Sequence, residues 1–197
     1  MSDQETLGVY AAKAQEYANL AEDDPNERPL RMAFIAALPQ GAHVLDLGCG
    51  PGQSAAAMAK AGLQVTATDA VPEMVEMAAR HEGVTARVAT FDQIEGEAIY
   101  DGIWANFSLL HAPRADMPRH LAALRRAIKS GGIFHIALKS GEGEKRDSIG
   151  RHYTYYTDAE LSGLVSAAGF TITDRASGSG VGLDGMPANW IALRAHA

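Results

Sequence analysis

Apolar residues in this chain come in short runs, and most of the stretches between the runs carry a helical rhythm. HVLDLG (from 43), VTATD (ending at 69), VTARVAT (84–90), IWANF (103–107), IFHIALK (133–139), FTITDR (170–175) and NWIALRAHA (189–197) read as seven strands. A helix is predicted over about 53–61, with Gly62 as its stop, and another over PEMVEMAARH with Pro72 in its first turn. MPRHLAALRRAIKS should follow as a third helix with Leu121, Leu124 and Ile128 on one stripe, capped by Asp116 and ended by Gly131-Gly132. The Thr157-x-x-Glu160 capping box opens a fourth helix, which runs to Ala168 with Gly169 behind it. Ahead of the first strand, residues 5–20 show a weaker helical rhythm and 21–29 are a polar break. Pro29 then suits the first turn of a helix ending before Pro39. Residues 140–150 are rich in glycine and charge and have no packing period, so a loop, mobile without ligand, is expected there. ASGSGVGLDGMP reads as a glycine-rich turn between the last two runs, which form the antiparallel end of the sheet. Strands alternating with helices imply an α/β fold with a mostly parallel sheet.

The chemistry centres on residues 44–52, VLDLGCGPG, where an apolar run ends in Gly48, Gly50 and Gly52. Glycine at these positions allows positive φ and close approach of another group. A strand, a glycine turn and a helix in succession aim backbone N–H groups and the positive end of the helix at the turn. Asp69 ends the next apolar run. Glycines near the main body of a ligand and a carboxylate on its ribose hydroxyls are how an α/β fold holds a ribose-bearing cofactor. The dinucleotide fingerprint G-x-G-x-x-G fits less well, because position 53 is Gln and because it has no use for a carboxylate at Asp46. The bland alternative is an isolated glycine turn that Asp46 merely caps.

Asp46-Leu47-Gly48-Cys49-Gly50-Pro51-Gly52 resembles the first motif of the class I S-adenosylmethionine-dependent methyltransferases, and Asp69 matches that family's acidic second motif. The resemblance covers roughly 40–175, more loosely to 197. It implies a Rossmann-like seven-stranded sheet, mostly parallel with an antiparallel last strand, and helices on both faces. It also implies a single methyltransferase domain over 1–197, in which 1–40 form an N-terminal helical cap and 41–197 the core. The implied cofactor is S-adenosyl-L-methionine, held by Asp46, Gly48, Gly50, Gly52, Asp69, Ala70 and Asn106. Phe91 would pack on the adenine and Asp92 would accept from its exocyclic amine; otherwise Phe91 is a core aromatic and Asp92 a cap.

Ligands of open α/β sheets bind beyond the carboxyl ends of the strands, which puts His111 on the catalytic side. With an ordinary pKa near 6.5 it is the candidate base for a hydroxyl acceptor. For an acceptor that is already nucleophilic it would only position, and its bland reading is a loop histidine bonded to backbone. Tyr153 is the second catalytic candidate. Tyr10 and Tyr17 could line the cavity or simply pack a helix on the core. Arg146 and Arg151 would suit a carboxylate or phosphate, or are equally read as solvated loop charges, and Tyr155 and Tyr156 are further substrate candidates.

Length and composition narrow the reading. The chain has 197 residues, 47% of them hydrophobic, which suits one globular domain. A net charge of -7 argues against a self-sufficient nucleic-acid binder. Cys49 is the single cysteine, so no disulfide framework is possible within one chain. The seven histidines show no H-E-x-x-H or close ligand pair, and no metal is expected. No apolar run approaches a membrane span, the polar MSDQETLG start does not resemble a signal peptide, and a cytoplasmic location is expected. After the fourth strand the chain reads ANFSLLH, which departs from the [DN]-P-P-[YFW] segment of amino-methylating enzymes. The expectation is a methyltransferase acting on a small molecule, with no membrane or nucleic-acid partner and a homodimer left open. The alternatives are a methyltransferase acting on tRNA or protein, which would need a basic track to the site, and a non-catalytic module that holds cofactor or a partner.

Overall fold

The computed structural model describes residues 3–21 and 25–197; residues 22–24, inside the expected polar break, lie outside the described residues. One sheet carries seven strands: β1 (His43–Leu47), β2 (Gln64–Asp69), β3 (Val84–Val88), β4 (Tyr100–Asn106), β5 (Ile128–Lys139), β8 (Thr171–Val181) and β9 (Pro187–His196). The remaining two, β6 (Glu144–Arg146) and β7 (His152–Thr154), form a separate antiparallel hairpin. The sheet order is β3-β2-β1-β4-β5-β9-β8. The first five strands are parallel, and β9 runs antiparallel between β5 and β8.

Alternation along the strands sends neighbouring side chains to opposite faces. On one face Leu45, Leu47, Ile103 and Phe134 pack with Leu121 and Leu124 of α6 (Met117–Ala127) and Leu161 and Val165 of α7 (Asp158–Ala167). On the other face Val44, Val65, Trp104 and Ile133 pack with Phe34 of α3 (Glu27–Ala36) and Met58 of α4 (Gln53–Lys60). The capping box at Thr157 forms as expected, with its hydroxyl accepting from the Glu160 N–H. α5 (Pro72–Ala78) opens on its proline. Residues 5–20 form two helices rather than one, α1 (Gln4–Ala12) and α2 (Ala14–Ala21), and α3 starts two residues ahead of Pro29.

Three expectations are corrected. Residues 140–150 are not a featureless loop, because Glu144–Arg146 pair with His152–Thr154. α6 ends at Ala127 rather than at the glycines: the Ala98 and Ile99 N–H groups bond the carbonyls of Arg126 and Ala127, and Ile128 already pairs with Tyr100 in the sheet. The stretch read as a glycine-rich turn is mostly strand, since β8 continues through Ser177, Gly178, Ser179 and Gly180 to Val181. Its glycine has a packing reason. Gly178 lies opposite Trp190, and a Cβ there would stand 2.4 Å from the indole Cζ2. The indole takes the space a side chain would need, so Gly178→Val should lower stability by about 1–3 kcal/mol in urea unfolding. An unchanged midpoint would show that the ring can move aside freely.

Candidate active site

The strand that carries the glycine motif cannot run on. After Leu47 the backbone passes through Gly48, Gly50 and Gly52 with φ of 69°, 53° and 89°. The Thr68 carbonyl accepts from the N–H groups of both Gly48 (2.7 Å) and Cys49 (2.9 Å). The Asp69 carboxylate accepts from Gly50 N–H on Oδ2 and Val71 N–H on Oδ1, each at 2.9 Å. A Cβ on Gly48 would lie 2.3 Å from Ser108 Cβ, and one on Gly52 2.8 Å from Ala78. The first and third glycines are therefore required by contact as well as by φ.

A cavity of about 80 Å3 opens against this turn, bordered by Gly48, Gly50, Asp69, Ala70, Val71 and Ser108. Met74, Phe91 and Asp92 also border it. Ser108 Oγ is buried there without a hydrogen-bond partner. Asp46 lies beneath the turn, outside the wall, with its buried Oδ2 unpartnered. Burial, with Glu27 and Asp69 nearby, holds the Asp46 pKa well above the usual carboxylate range. These features suit a ribose-bearing cofactor: a glycine cradle, a carboxylate with lone pairs to spare on the wall, an orphaned hydroxyl and an apolar side made by Val71 and Met74. Asp92 also pairs with Arg119 at 2.7 Å, and Phe91 packs edge-on to His120.

A second cavity of about 310 Å3 lies beyond Tyr10, Tyr17 and Phe107, and these three side chains border both spaces. Phe107 holds φ at 53°, an outlying conformation for a bulky residue and one that clusters at functional sites. Tyr17 Cε1 stands 3.2 Å from where a Cβ on Gly50 would be, so α2 closes over the turn. The far wall of the second cavity includes Trp190, Lys139, Arg151, Tyr153 and Glu27.

One hydrogen-bonded chain crosses the partition. Arg151 Nη1 donates to the Tyr10 hydroxyl at 2.9 Å, and Tyr10 lies 2.9 Å from His111 Nε2. His111 Nδ1 lies 2.6 Å from the His152 carbonyl. A carbonyl only accepts, so Nδ1 carries the proton, Nε2 accepts, and Tyr10 donates to it. Burial pushes the His111 pKa down to about 3, with the nearby Arg151 and Lys139 adding to the effect. Burial likewise raises the Tyr10 and Tyr153 hydroxyls, so both stay protonated.

The structure brings together most of the residues named from sequence. Gly48, Gly50, Asp69, Ala70, Phe91, Asp92 and His111 border the first cavity, Arg151 and Tyr153 the second, and Tyr10 and Tyr17 both. Others lie elsewhere. Gly52 sets the N-terminus of α4. The Asn106 amide is occupied away from both cavities, donating to Glu27 at 3.1 Å while its Oδ1 meets His135 Nε2 at 3.0 Å. Arg146 faces outward and straps the hairpin to α1, donating to both Asp3 oxygens at 2.9 and 2.7 Å. Tyr155 lies under Lys145, and Tyr156 is fully buried beneath Arg114; neither borders a cavity. Sequence reasoning missed Glu27, Phe107 and Lys139. For Phe107 and Lys139 a signal existed, since they follow or end β4 and β5 at the carboxyl edge of the sheet.

Comparison with known proteins agrees with this geometry. The family described as "Methyltransferase domain" matches residues 44–132. A ubiquinone biosynthesis O-methyltransferase from Xanthomonas axonopodis pv. citri is 33% identical over 118 residues, which are 55% of this chain and 48% of that protein. An S-adenosyl-L-methionine-dependent Diels-Alderase from Talaromyces variabilis is 34% identical over 110 residues, 51% of this chain and 37% of that one. The chain thus spans about half the length, or less, of the curated relatives it matches. Among solved structures, the Burkholderia thailandensis 1,6-didemethyltoxoflavin-N1-methyltransferase superposes with a TM-score of 0.79 at 26% identity, covering 98% of this chain and 88% of its own. That protein was crystallised with 1,6-didemethyltoxoflavin and S-adenosylhomocysteine.

Fold and turn together define a Rossmann-like methyltransferase architecture. Over residues 44–132 the chain matches the methyltransferase-domain family, and over nearly its whole length it is similar in fold to an S-adenosylmethionine-dependent methyltransferase. Among the described residues, no helix is long and apolar enough to cross a membrane, and no cluster of His, Cys, Asp and Glu is placed to hold a metal ion.

The buried imidazole makes a prediction about stability. In the fold His111 binds no proton until about pH 3, whereas in the unfolded chain it does so near 6.5. Its contribution is therefore complete above about pH 6.5 and is lost as pH falls toward 3. His111→Gln should flatten the acid limb of the stability curve by up to about 1.4 kcal/mol per pH unit, in urea titrations between about pH 7 and 4. An unchanged slope would mean that the ring is not held neutral. His135, also pushed down to about 3 by burial, keeps its share in both proteins.

Proposed function

We propose that this protein transfers a methyl group from S-adenosylmethionine to a small molecule held in the second cavity. The observation that carries the reading is the pairing of the two spaces: a glycine-cradled cavity and a roomier one share Tyr10, Tyr17 and Phe107 as their partition. The cofactor, when bound, supplies an electrophilic methyl group on a sulfonium. The chain's part is to bind, align and keep water out. Asp69 and the glycine turn would take the ribose and the main body, Ser108 a polar group, and Val71, Met74 and Phe91 the adenine side. At about 80 Å3 the first cavity is smaller than the roughly 300–1,000 Å3 of ordinary ligand sites, so loading requires Tyr17 and the helices that carry the partition to give way. The second, at about 310 Å3, is the size for a metabolite rather than for a nucleic-acid or protein segment.

His111 is better suited to positioning than to removing a proton. Its acceptor nitrogen is occupied by Tyr10, its other nitrogen by backbone, and burial opposes its charging. We assign it the role of holding the Tyr10 hydroxyl between the cavities. The same reading makes residues 1–40 a cap and 41–197 the core of one catalytic domain. It places the protein in the cytoplasm, in keeping with an unpaired, buried Cys49.

Calorimetric titration with S-adenosylmethionine, and separately with NAD, tests the cofactor assignment; binding of NAD alone would overturn it. Asp69→Ala should weaken S-adenosylmethionine binding by about 1–3 kcal/mol, and unchanged affinity would remove Asp69 from the site. Tyr10→Phe and His111→Gln should each raise the barrier to turnover by about 1–2 kcal/mol, with the double variant little worse than either. Full additivity would show that they do not act as a unit.

A further inference from the structure

We propose that the second cavity selects a small planar molecule bearing an anionic oxygen, with Lys139 receiving the anion and Trp190 and Phe107 flanking the ring. The inference deepens the methyl-transfer reading and rests on it for what happens to the molecule, though not for how the molecule is bound.

Among the described residues the wall has three charged side chains, Glu27, Lys139 and Arg151, and two of them are already answered. Glu27 pairs with Arg31 at 2.7 Å and accepts from Asn106 and Ser54. Arg151, only 1% exposed, is held by Asp147 through Nε and Nη2, each 2.8 Å from Oδ2, and has Asp184 at 4.0 Å. Lys139 differs. It ends β5 at the carboxyl edge of the sheet, and its Nζ rests 4.1 Å above the centroid of the Tyr153 ring. Among the described residues it has no hydrogen bond and no ion pair within 4.0 Å. Asp184 and Asp147 act on it only from beyond ion-pair distance, so this half-buried cation on an aromatic face has no direct partner for its charge among the described residues. An anion in the cavity would supply one. Burial lowers the Lys139 pKa in the free protein, and an anion's arrival would push the group back toward full charge.

Arg151 lines the same cavity and adds to its positive potential, although its guanidinium is already paired with Asp147. Asp184 Oδ1, Lys139 Nζ and Arg151 Nη2 stand 2.9, 3.4 and 3.9 Å from where a Cβ on Gly182 would be, so a side chain there would crowd this charged cluster beside the cavity.

The rest of the wall selects shape. Trp190 and Phe107 meet edge to face with centroids 6.2 Å apart, and Tyr10 and Tyr17 do the same at 5.3 Å. Trp190 is held in place by the absence of a side chain at Gly178. Aromatic walls with a cation at one end favour a flat ring carrying a carboxylate, phenolate or enolate oxygen over a flexible or cationic molecule.

The test uses benzoate, 4-hydroxybenzoate and nicotinate against their uncharged carboxamides, read by tryptophan fluorescence and calorimetry on the full chain. Trp104 is buried in a stack with His135, which leaves Trp190 as the reporter on the cavity. In the wild type, at least one carboxylate should bind about tenfold or more tightly than its amide. Lys139→Met should bring that pair to within about twofold, while Lys139→Arg, which keeps the charge, should preserve the preference. Equal affinities in the wild type, a preference that survives Lys139→Met, or no saturable response to any carboxylate at millimolar concentration would each overturn the proposal. S-adenosylmethionine titration of the same samples separates the two readings. Carboxylate selectivity without S-adenosylmethionine binding would sink methyl transfer and leave the anion site standing. The reverse result would sink the anion site alone.

Discussion

The architecture of the site depends on how the end of β2 holds the end of β1. One carbonyl, that of Thr68, takes two successive N–H groups from the turn, and one carboxylate, that of Asp69, takes the next N–H and another from its own strand end. Four donors that would otherwise be left without partners where two parallel strands stop are thereby satisfied. The glycines make the left-handed path affordable; the β2 end fixes which path is taken. Asp69 is consequently a structural residue before it is a binding one. Burial raises its pKa while the N–H groups of Val71, Gly50 and Ala70, which donate to it, work the other way. With the turn fixed, Ser108 can approach Gly48 closely and α4 can start directly from Gly52.

The sheet provides the floor of the site, but elements added to it provide the walls. α1 is tied to the β6–β7 hairpin at three levels: Arg146 on Asp3, the His152 N–H on the Thr6 hydroxyl, and Arg151 on Tyr10. Asp3 also caps α1 by accepting from the Thr6 N–H, and the hydrogen bond from Arg146 is the largest influence holding its pKa below the usual range. Capping and docking therefore use the same carboxylate. On the opposite side the long β8–β9 hairpin brings Trp190 and Gly182 to the second cavity. Both features leave the carboxyl side of the sheet, so the common fold is kept while the second cavity is built by what has been added to it.

This division explains what could be read in the sequence. The turn, Asp69, the strand runs and the Thr157 cap were legible because each depends on neighbours within a few residues. The role of Asn106 was not: a polar residue ending a strand could face the cofactor side or α3, and it is Glu27, far away in the chain, that decides. Arg146 and Arg151 look alike in a glycine-rich stretch, yet the hairpin turns the first outward and buries the second against Asp147. Charge in a sequence carries no information about depth. Gly178 read as turn because glycine usually marks one; only the register with Trp190 shows that it is making room. Lys139 was legible in principle, since strand-end position is a sequence property, but nothing local distinguishes it from a solvated lysine. That no ion pair reaches it among the described residues is visible only in three dimensions.

A thiol beside a methyl donor would be a competing acceptor, and the chain's single cysteine lies inside the glycine motif itself. Cys49 sits between the first two glycines of the turn, yet its side chain is turned into the core with Ala55 and Met58 rather than into the cavity. Its thiol donates to the Gly50 carbonyl at 3.4 Å, and burial, with Asp46 and Asp69 close by, pushes its pKa up. The reactive form of a cysteine is the thiolate. Burial above all thus keeps this sulfur protonated, and chemical self-protection follows from the same turn that sends its side chain into the core.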